Sequence, residues 1–252
     1  MKRDIIHYSN LQGSAVFENF QAIDATEFDA YLGLLILIGV YRSYGESLNS
    51  LWDEFHGRPF LRAIMSLERF SNISRVLAFD DRQRRRSEQR GDKLTPIRTF
   101  YEQWTQNLQL LYVPSANITI DEQLIPFRGR CPFKVYIPSK PGKYGMKAWI
   151  AADSDTAFCL QFQIYLGKVG DNAERNQGER VVLDLVSSYR GRNVTTDNVF
   201  TSHNLALELP KQNIIIVGTE RNNKRFLPVH ATSQELRKLP LRSTPFTIIQ
   251  GG

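Results

Sequence analysis

From Asp24 to Tyr112 the apolar positions recur at the spacing of one helical face. Phe28, Tyr31, Leu32, Leu35 and Ile38 make the first stripe, with Asp24 or Thr26 placed to cap it. Gly45, Glu46 and Ser47 break the pattern, and Leu48 to Phe55 resumes it. Ser66 opens another amphipathic segment that reaches Phe79. Pro96 to Tyr112 is helical again, with Ile97, Phe100, Trp104, Leu108 and Leu111 near helical spacing. Residues 1–23 show no clear period and read as an arm or linker. Residues 80–93, DDRQRRRSEQRGDK, carry little apolar content and read as an exposed connection.

The period changes after Pro114. Asn117 to Asp121 is a short strand. Lys147 to Ala152 and Phe158 to Tyr165 are strand-like, and the turn residues Asp153 to Thr156 between them predict a hairpin. Glu179 to Ser187 reads as a helix, Val194 to Thr196 as a strand ending at Asp197, Ser202 to Leu209 as a helix, and Asn213 to Val217 as a buried strand. Strand, hairpin, helix, strand, helix, strand defines an α/β layer with mixed pairing.

Composition narrows the class. With 252 residues and 42% hydrophobic positions the chain can bury a sizeable core. A net charge of +6 is a weak pointer to an anionic partner. Cys131 and Cys159 are too few for a disulfide framework and lack zinc spacing, so reduced thiols are expected. The N-terminus has no apolar core of a signal peptide. The longest apolar run, Tyr31 to Tyr41, is about half a membrane span, so no membrane partner is expected. His7, His56, His203 and His230 are scattered, and there is no P-loop and no GxSxG.

Two features carry candidate chemistry. Asp121 and Asp197 each close a short β-rich run, and strand ends of an α/β sheet open on the mouth where ligands bind. On neighbouring strands they could share a hard cation such as Mg²⁺. Strand-end aspartates are also ordinary turn and cap chemistry, and Asp153 and Asp155 read that way. The second feature is the acid-free stretch from Leu124 to Ala152. It holds Arg128, Arg130, Lys134, Lys140, Lys143 and Lys147, interleaved with Phe127, Phe133, Tyr136 and Tyr144. Basic groups hold phosphates and aromatic faces stack on unpaired bases, so DNA or RNA contact is one reading. A solvated loop whose aromatics pack inward is the other. A second basic cluster, Arg82, Arg84, Arg85, Arg86 and Arg90, is diluted by Asp80, Asp81 and Glu88 and reads as a charged linker.

Longer motifs sharpen this picture. The runs ITIDEQLIPFRGRCPFKVYIPSKPGKYGMK, NVTTDNVFTS and IVGTERNNKRFLP resemble the transposase domain of piggyBac-type elements, and YLGLLILIGVYR and DKLTPIRTFYEQW support the resemblance. It covers residues 28–228. It implies an RNase H-like mixed sheet flanked by helices, preceded by a helical N-terminal region. The domains expected are an arm (1–23), a helical DNA-binding and dimerisation region (24–112), a partial catalytic core (113–228) and a divergent tail (229–252). The family cuts and rejoins DNA with divalent metal on three aspartates. By motif match Asp121 stands for the first and Asp197 for the second, as catalytic residues and ligands of a Mg²⁺ or Mn²⁺ two-metal site. DNA contacts are expected at Arg128, Arg130, Lys134, Lys140, Lys143, Tyr144 and Lys147. Transposon-end DNA, a homodimer and a nuclear location follow from the same resemblance.

The chain departs from the pattern in several places. The third aspartate lies in a K-x-GVD-x-x-D segment, and here the last aspartate is Asp197. The family's insertion domain and cysteine-rich end are also missing from these residues, so a C-terminally truncated member with an incomplete catalytic set is expected. Val199 replaces an aromatic, Pro210 falls at a helix end, and Glu220 replaces an apolar residue. Non-catalytic DNA binding and an inert remnant are therefore the alternatives to a cutting enzyme.

Overall fold

A computed structural model describes residues 1–43, 45–87, 91–168 and 174–220. Arg90, Glu88, His230, the end of the expected core and the expected tail lie outside the described residues, as does the side chain of Arg86. The chain divides into two compact units, residues 1–103 and 104–252.

The first unit is helical. Residues 1–23 are not an arm: α1 spans Lys2–Val16. Its buried stripe is Ile5, Ser9 and Gly13, four residues apart, so only one large apolar side chain marks the face. That is why hydrophobic periodicity is silent there. The stripe is small so that neighbours can approach. A Cβ on Gly13 would lie 2.2 Å from the Phe20 ring, and the buried Ser9 hydroxyl accepts from the Ala78 amide at 3.1 Å.

Asp24, not Thr26, caps α2 (Ala25–Val40), accepting from the Glu27 amide at 2.8 Å. Phe28, Tyr31 and Leu34 enter the core, whereas Leu32 and Leu35 face outward. The short α3 (Leu48–Leu51) and α4 (Pro59–Ile64) follow, the latter begun by a proline at its first turn. Ser66 caps α5 (Leu67–Val76), which buries Phe70, Ile73 and Val76. Arg69 on α5 grips Glu27 on α2 with two bonds of 2.6 Å each. The stretch read as a bare connection contains α6 (Arg82–Ser87), started by Asp81, whose carboxylate accepts from the Gln83 and Arg84 amides. α7 (Arg98–Leu111) runs from the first unit into the second.

The second unit is a mixed α/β sandwich around a six-stranded sheet, the RNase H-like arrangement. Its strands are β1 (Asn117–Pro126), β2 (Lys134–Tyr136), β3 (Tyr144–Asp153), β4 (Cys159–Ile164), β5 (Arg192–Thr196) and β6 (Ile214–Gly218). Helices α8 (Gln177–Val186) and α9 (His203–Glu208) lie between β4 and β6 in sequence. β1 pairs antiparallel with β3, which carries β4 and β2 on its other side, while β5 and β6 continue parallel to β1.

Ile118, Ile120, Val194 and Ile214 line one face of the sheet. They pack against Val181, Val182, Leu185 and Val186 of α8 and Leu205 of α9. Each such aliphatic side chain contributes about 1.5–3 kcal/mol on burial. On the opposite face the alternate residues Thr195, Ile215 and Val217 are exposed. Part of that face, at β3 and β4, is covered where the Trp104 ring meets Phe162 edge-on at 5.5 Å. Pro210, misplaced for a helix interior, stands instead in a 3₁₀ turn (Leu209–Gln212) after α9 has ended.

Two expectations about the strands need correction. β1 does not end at its acids but continues to Pro126, and the stretch read as a basic loop is mostly a β ribbon made by the far ends of β1 and β3 with β2. Long-range pairing, invisible in local composition, decides both. Gly145 shows how close the strands come, since a Cβ there would sit 2.2 Å from the Ile125 carbonyl oxygen.

Candidate functional site

Asp121 owes its position to register. The parallel ladder of β1 with β5 runs from Asn117 with Asn193 to Ile120 with Thr196. One step further, Asp121 stands beside Asp197. Neighbouring strands lie about 4.8 Å apart, so the two carboxylates spring from adjacent backbone points. Alternation along β1 puts Asp121 on the face away from α8, and Asp197 follows directly on the last residue of β5. Ile120 and Thr196 point into the core, and Asp121 and Asp197 are exposed.

The loop after β5 fixes Asp197. Its carboxylate accepts from the Val199 amide at 2.9 Å, and its carbonyl accepts from the Thr201 amide at 3.0 Å and the Thr201 hydroxyl at 2.7 Å. Since the Thr201 proton goes to that carbonyl, the Thr196 hydroxyl, 2.9 Å away, donates to Thr201. Two glycines let the neighbours close in. A Cβ on Gly178, in the first turn of α8, would meet the Val199 carbonyl oxygen at 2.5 Å, and one on Gly218 would meet Thr201 Oγ1 at 2.3 Å. Thr196, Thr201, Gly178 and Gly218 escape sequence reasoning because none bears a reactive group. A threonine pair flanking a strand-end aspartate is the only trace they leave.

Asp121 accepts from its own neighbour, the Glu122 amide, at 2.6 Å. Neither carboxylate forms an ion pair among the described residues, so oxygen lone pairs remain for a ligand. Glu122 points to the other face, where its carboxylate binds Lys147 at 2.5 Å. Lys147 also lies over the Trp149 and Tyr165 rings. This site residue is therefore committed to a local pair on the face opposite Asp121.

The other expected DNA contacts lie on or beside the ribbon. Tyr144 and its cross-strand partner Tyr136 share the Asp121 face, as does Lys134. The two tyrosine rings are 4.7 Å apart, and the Arg128 guanidinium lies over Tyr144 at 5.5 Å. Lys134 donates to the Gly129 carbonyl at 3.0 Å and Lys140 to the Glu122 carbonyl at 3.4 Å. Lys143 takes the left-handed conformation, φ 50°, in the turn between β2 and β3. Among the described residues Arg130 and Lys143 have no acidic partner. Of the ribbon's aromatics, Phe133 is buried, whereas Phe127, Tyr136 and Tyr144 are exposed.

Asp153 and Asp155, by contrast, are turn residues. Asp153 is buried and accepts from the Ser115 amide at 2.5 Å, the Asp155 amide at 3.0 Å and the Thr156 amide at 2.9 Å. The Ser115 amide and then the Thr156 amide hold its carboxyl far below the usual carboxylate range. Asp184 is spent on Arg180 at 2.7 Å.

Two hard, exposed carboxylates suit a divalent cation that takes its other ligands from water and phosphate. Among the described residues no third acid, histidine or cysteine joins them. No described helix is long and apolar enough to cross a membrane.

The mixed sheet thus carries Asp121 midway along β1 and Asp197 directly after β5. Comparison with known proteins carries this to a family. The family model described as Transposase IS4 matches residues 2–246. The human piggyBac transposable element-derived protein 3 is 26% identical over 229 residues, 87% of this chain and 37% of the relative. The human chimeric ERCC6-PGBD3 protein is likewise 26% identical, with 21% of its length covered. A piggyBac transposase, solved by cryo-EM in a synaptic complex with hairpin DNA, superposes with a TM-score of 0.83 at 34% identity, over 97% of this chain and 52% of that one. The chain belongs to the Transposase IS4 family, as a piggyBac-type transposase domain. It spans about a third of the piggyBac-derived protein 3 and about half of the solved transposase.

Proposed function

We propose that this domain binds DNA along the β2–β3 ribbon and presents Asp121 and Asp197 to a phosphodiester, as in cut-and-paste transposition. The observation that carries this reading is the register. It sets Asp121 and Asp197 each one residue past the last β1–β5 pair, Ile120 with Thr196, with Lys134, Tyr136 and Tyr144 further along the Asp121 face. Asp121 and Asp197 would hold Mg²⁺ or Mn²⁺, which when bound activates a water or a 3′-hydroxyl and stabilises the departing oxygen. The protein's own part is positioning. Thr201 and Thr196 fix the carbonyl and turn of Asp197, and Arg130 and Lys143 draw in the DNA backbone. In hydrolysis the water oxygen bonds to phosphorus and the P–O3′ bond breaks, leaving a 3′-hydroxyl. The reading places the protein in the nucleus with transposon-end DNA as substrate and a second copy as partner.

The test is nicking of supercoiled DNA with Mg²⁺ or Mn²⁺. The expected result is metal-dependent nicking that Asp121→Ala removes, because even small misplacement of a reacting group costs on the order of 10²-fold. Equal nicking by Asp121→Ala sinks the site. A second reading, DNA binding without cutting, is favoured by the lack of a third ligand among the described residues. It predicts salt-sensitive DNA binding with no nicking. Lys140→Ala with Lys143→Ala would then weaken binding and lower the slope of log K against log salt by about one to two.

A further inference from the structure

The Tyr136–Tyr144 pair is an unusual use of aromatic surface. Tyr136 lies on an edge strand, pairs only with β3, and remains 54% exposed, while Tyr144 is 41% exposed. A ribbon needing aromatics only for its own stability would turn them toward the core, as Phe133 does. Here both tyrosines stand on the Asp121 face. Six residue steps along β3 lead from Tyr144 to Ile150, the partner of Asp121. That is roughly 20 Å of strand, about six base steps of duplex. Arg128 lies over Tyr144, adding a planar cation to the stack. Arg130 and Lys143, without acidic partners among the described residues, flank it in the same ribbon.

A duplex keeps its base faces stacked inside and offers an aromatic ring nothing but backbone. A ring set among phosphate-binding cations gains most from a base already out of its stack. We propose that Tyr136 and Tyr144, with Arg128, form a stacking platform for an unpaired nucleobase, so that this face selects DNA with unpaired bases a few steps from the carboxylates over continuous duplex. The proposal rests on the DNA-binding reading above.

The experiment compares two labelled probes at one fixed salt concentration: a continuous duplex and the same duplex with a short single-stranded gap. Fluorescence anisotropy gives the affinity for each, and 2-aminopurine in the gap reports stacking by loss of emission. The unaltered chain is expected to prefer the gapped probe and to quench 2-aminopurine. Tyr136→Leu keeps an apolar side chain but offers no ring, and is expected to lower affinity for the gapped probe by about 5- to 150-fold. Duplex affinity should fall far less than affinity for the gapped probe. Tyr136→Phe should retain both the preference and the quenching. Equal affinity of the unaltered chain for both probes overturns the platform while DNA binding stands. So does a Tyr136→Leu that weakens both probes alike, as a purely structural role would. Failure to bind either probe overturns the DNA-binding reading itself.

Discussion

Asp121 and Asp197 are separated by 76 positions in the chain, yet each stands one residue beyond the pairing of Ile120 with Thr196 in two parallel neighbouring strands. Two carboxylates so placed repel one another, and a divalent cation relieves that repulsion. Mn²⁺ is therefore expected to raise the Tm of the unaltered chain as its concentration rises past Kd. In Asp121→Asn the rise should vanish, while the Tm without metal should be equal or slightly higher. A Tm insensitive to Mn²⁺ in both proteins would falsify the pair as a metal site.

Thr201 acts on the same site at one remove. Its hydroxyl donates to the Asp197 carbonyl and accepts from Thr196. Thr201→Val keeps the shape and removes both bonds, at a cost of about 1–2 kcal/mol in stability. The expected outcome is a folded protein whose Mn²⁺-induced Tm shift is reduced. Thr201→Ser should restore it. A full shift in Thr201→Val would mean that the turn is held by the Thr201 and Val199 amides alone.

The Asp153 clamp gives a pH prediction. Hydrogen bonds from the Ser115 and Thr156 amides lower its folded pKa. The stabilisation is therefore fully present above the unfolded carboxylate value near 3.9 and fades as pH falls below it. Asp153→Asn turns one acceptor oxygen into a donor. It should melt below the unaltered chain at pH 7 and pH 5, with the gap narrowing once pH drops below about 4. A gap of constant size down to pH 2 would show that charge contributes nothing to this turn.

In the helical unit the sensitive spot is Ser9. Its hydroxyl is the acceptor for the buried Ala78 amide. Ser9→Ala strands that amide and should cost about 1–3 kcal/mol, more than the lost side chain alone suggests. Denaturant unfolding measures it. A loss under a few tenths of a kcal/mol would mean that the amide finds another partner.

Periodicity and turn chemistry located α2, α5, α7, α8 and the β4 to β6 segment; all but α7, which buries no residue fully, turn a side-chain pattern into a core. The same reading missed α1, whose buried stripe of Ile5, Ser9 and Gly13 is too small to register as hydrophobic. It also missed α4 and α6, each only six residues long. For the proposed site, the sequence singled out Asp121 and Asp197 as strand-end acids and by motif, and the cations as an acid-free run, but β1 runs on past Asp121 to Pro126. Lys147 was grouped with those cations by proximity in sequence, but pairing turns it to the far face and into the hands of Glu122.

Local pattern thus determined many of the helices and strands, and which residue types could bind a cation or a phosphate, since those depend on neighbours along the chain. Tertiary structure alone decided that two distant aspartates each stand one residue past a paired Ile120 and Thr196, that Tyr136 and Tyr144 share the Asp121 face, and that Thr201 and Gly218 shape the turn after Asp197. The physical reason is that β pairing joins residues through backbone hydrogen bonds whose register no single segment encodes. A shift of one position would send either carboxylate into the core face.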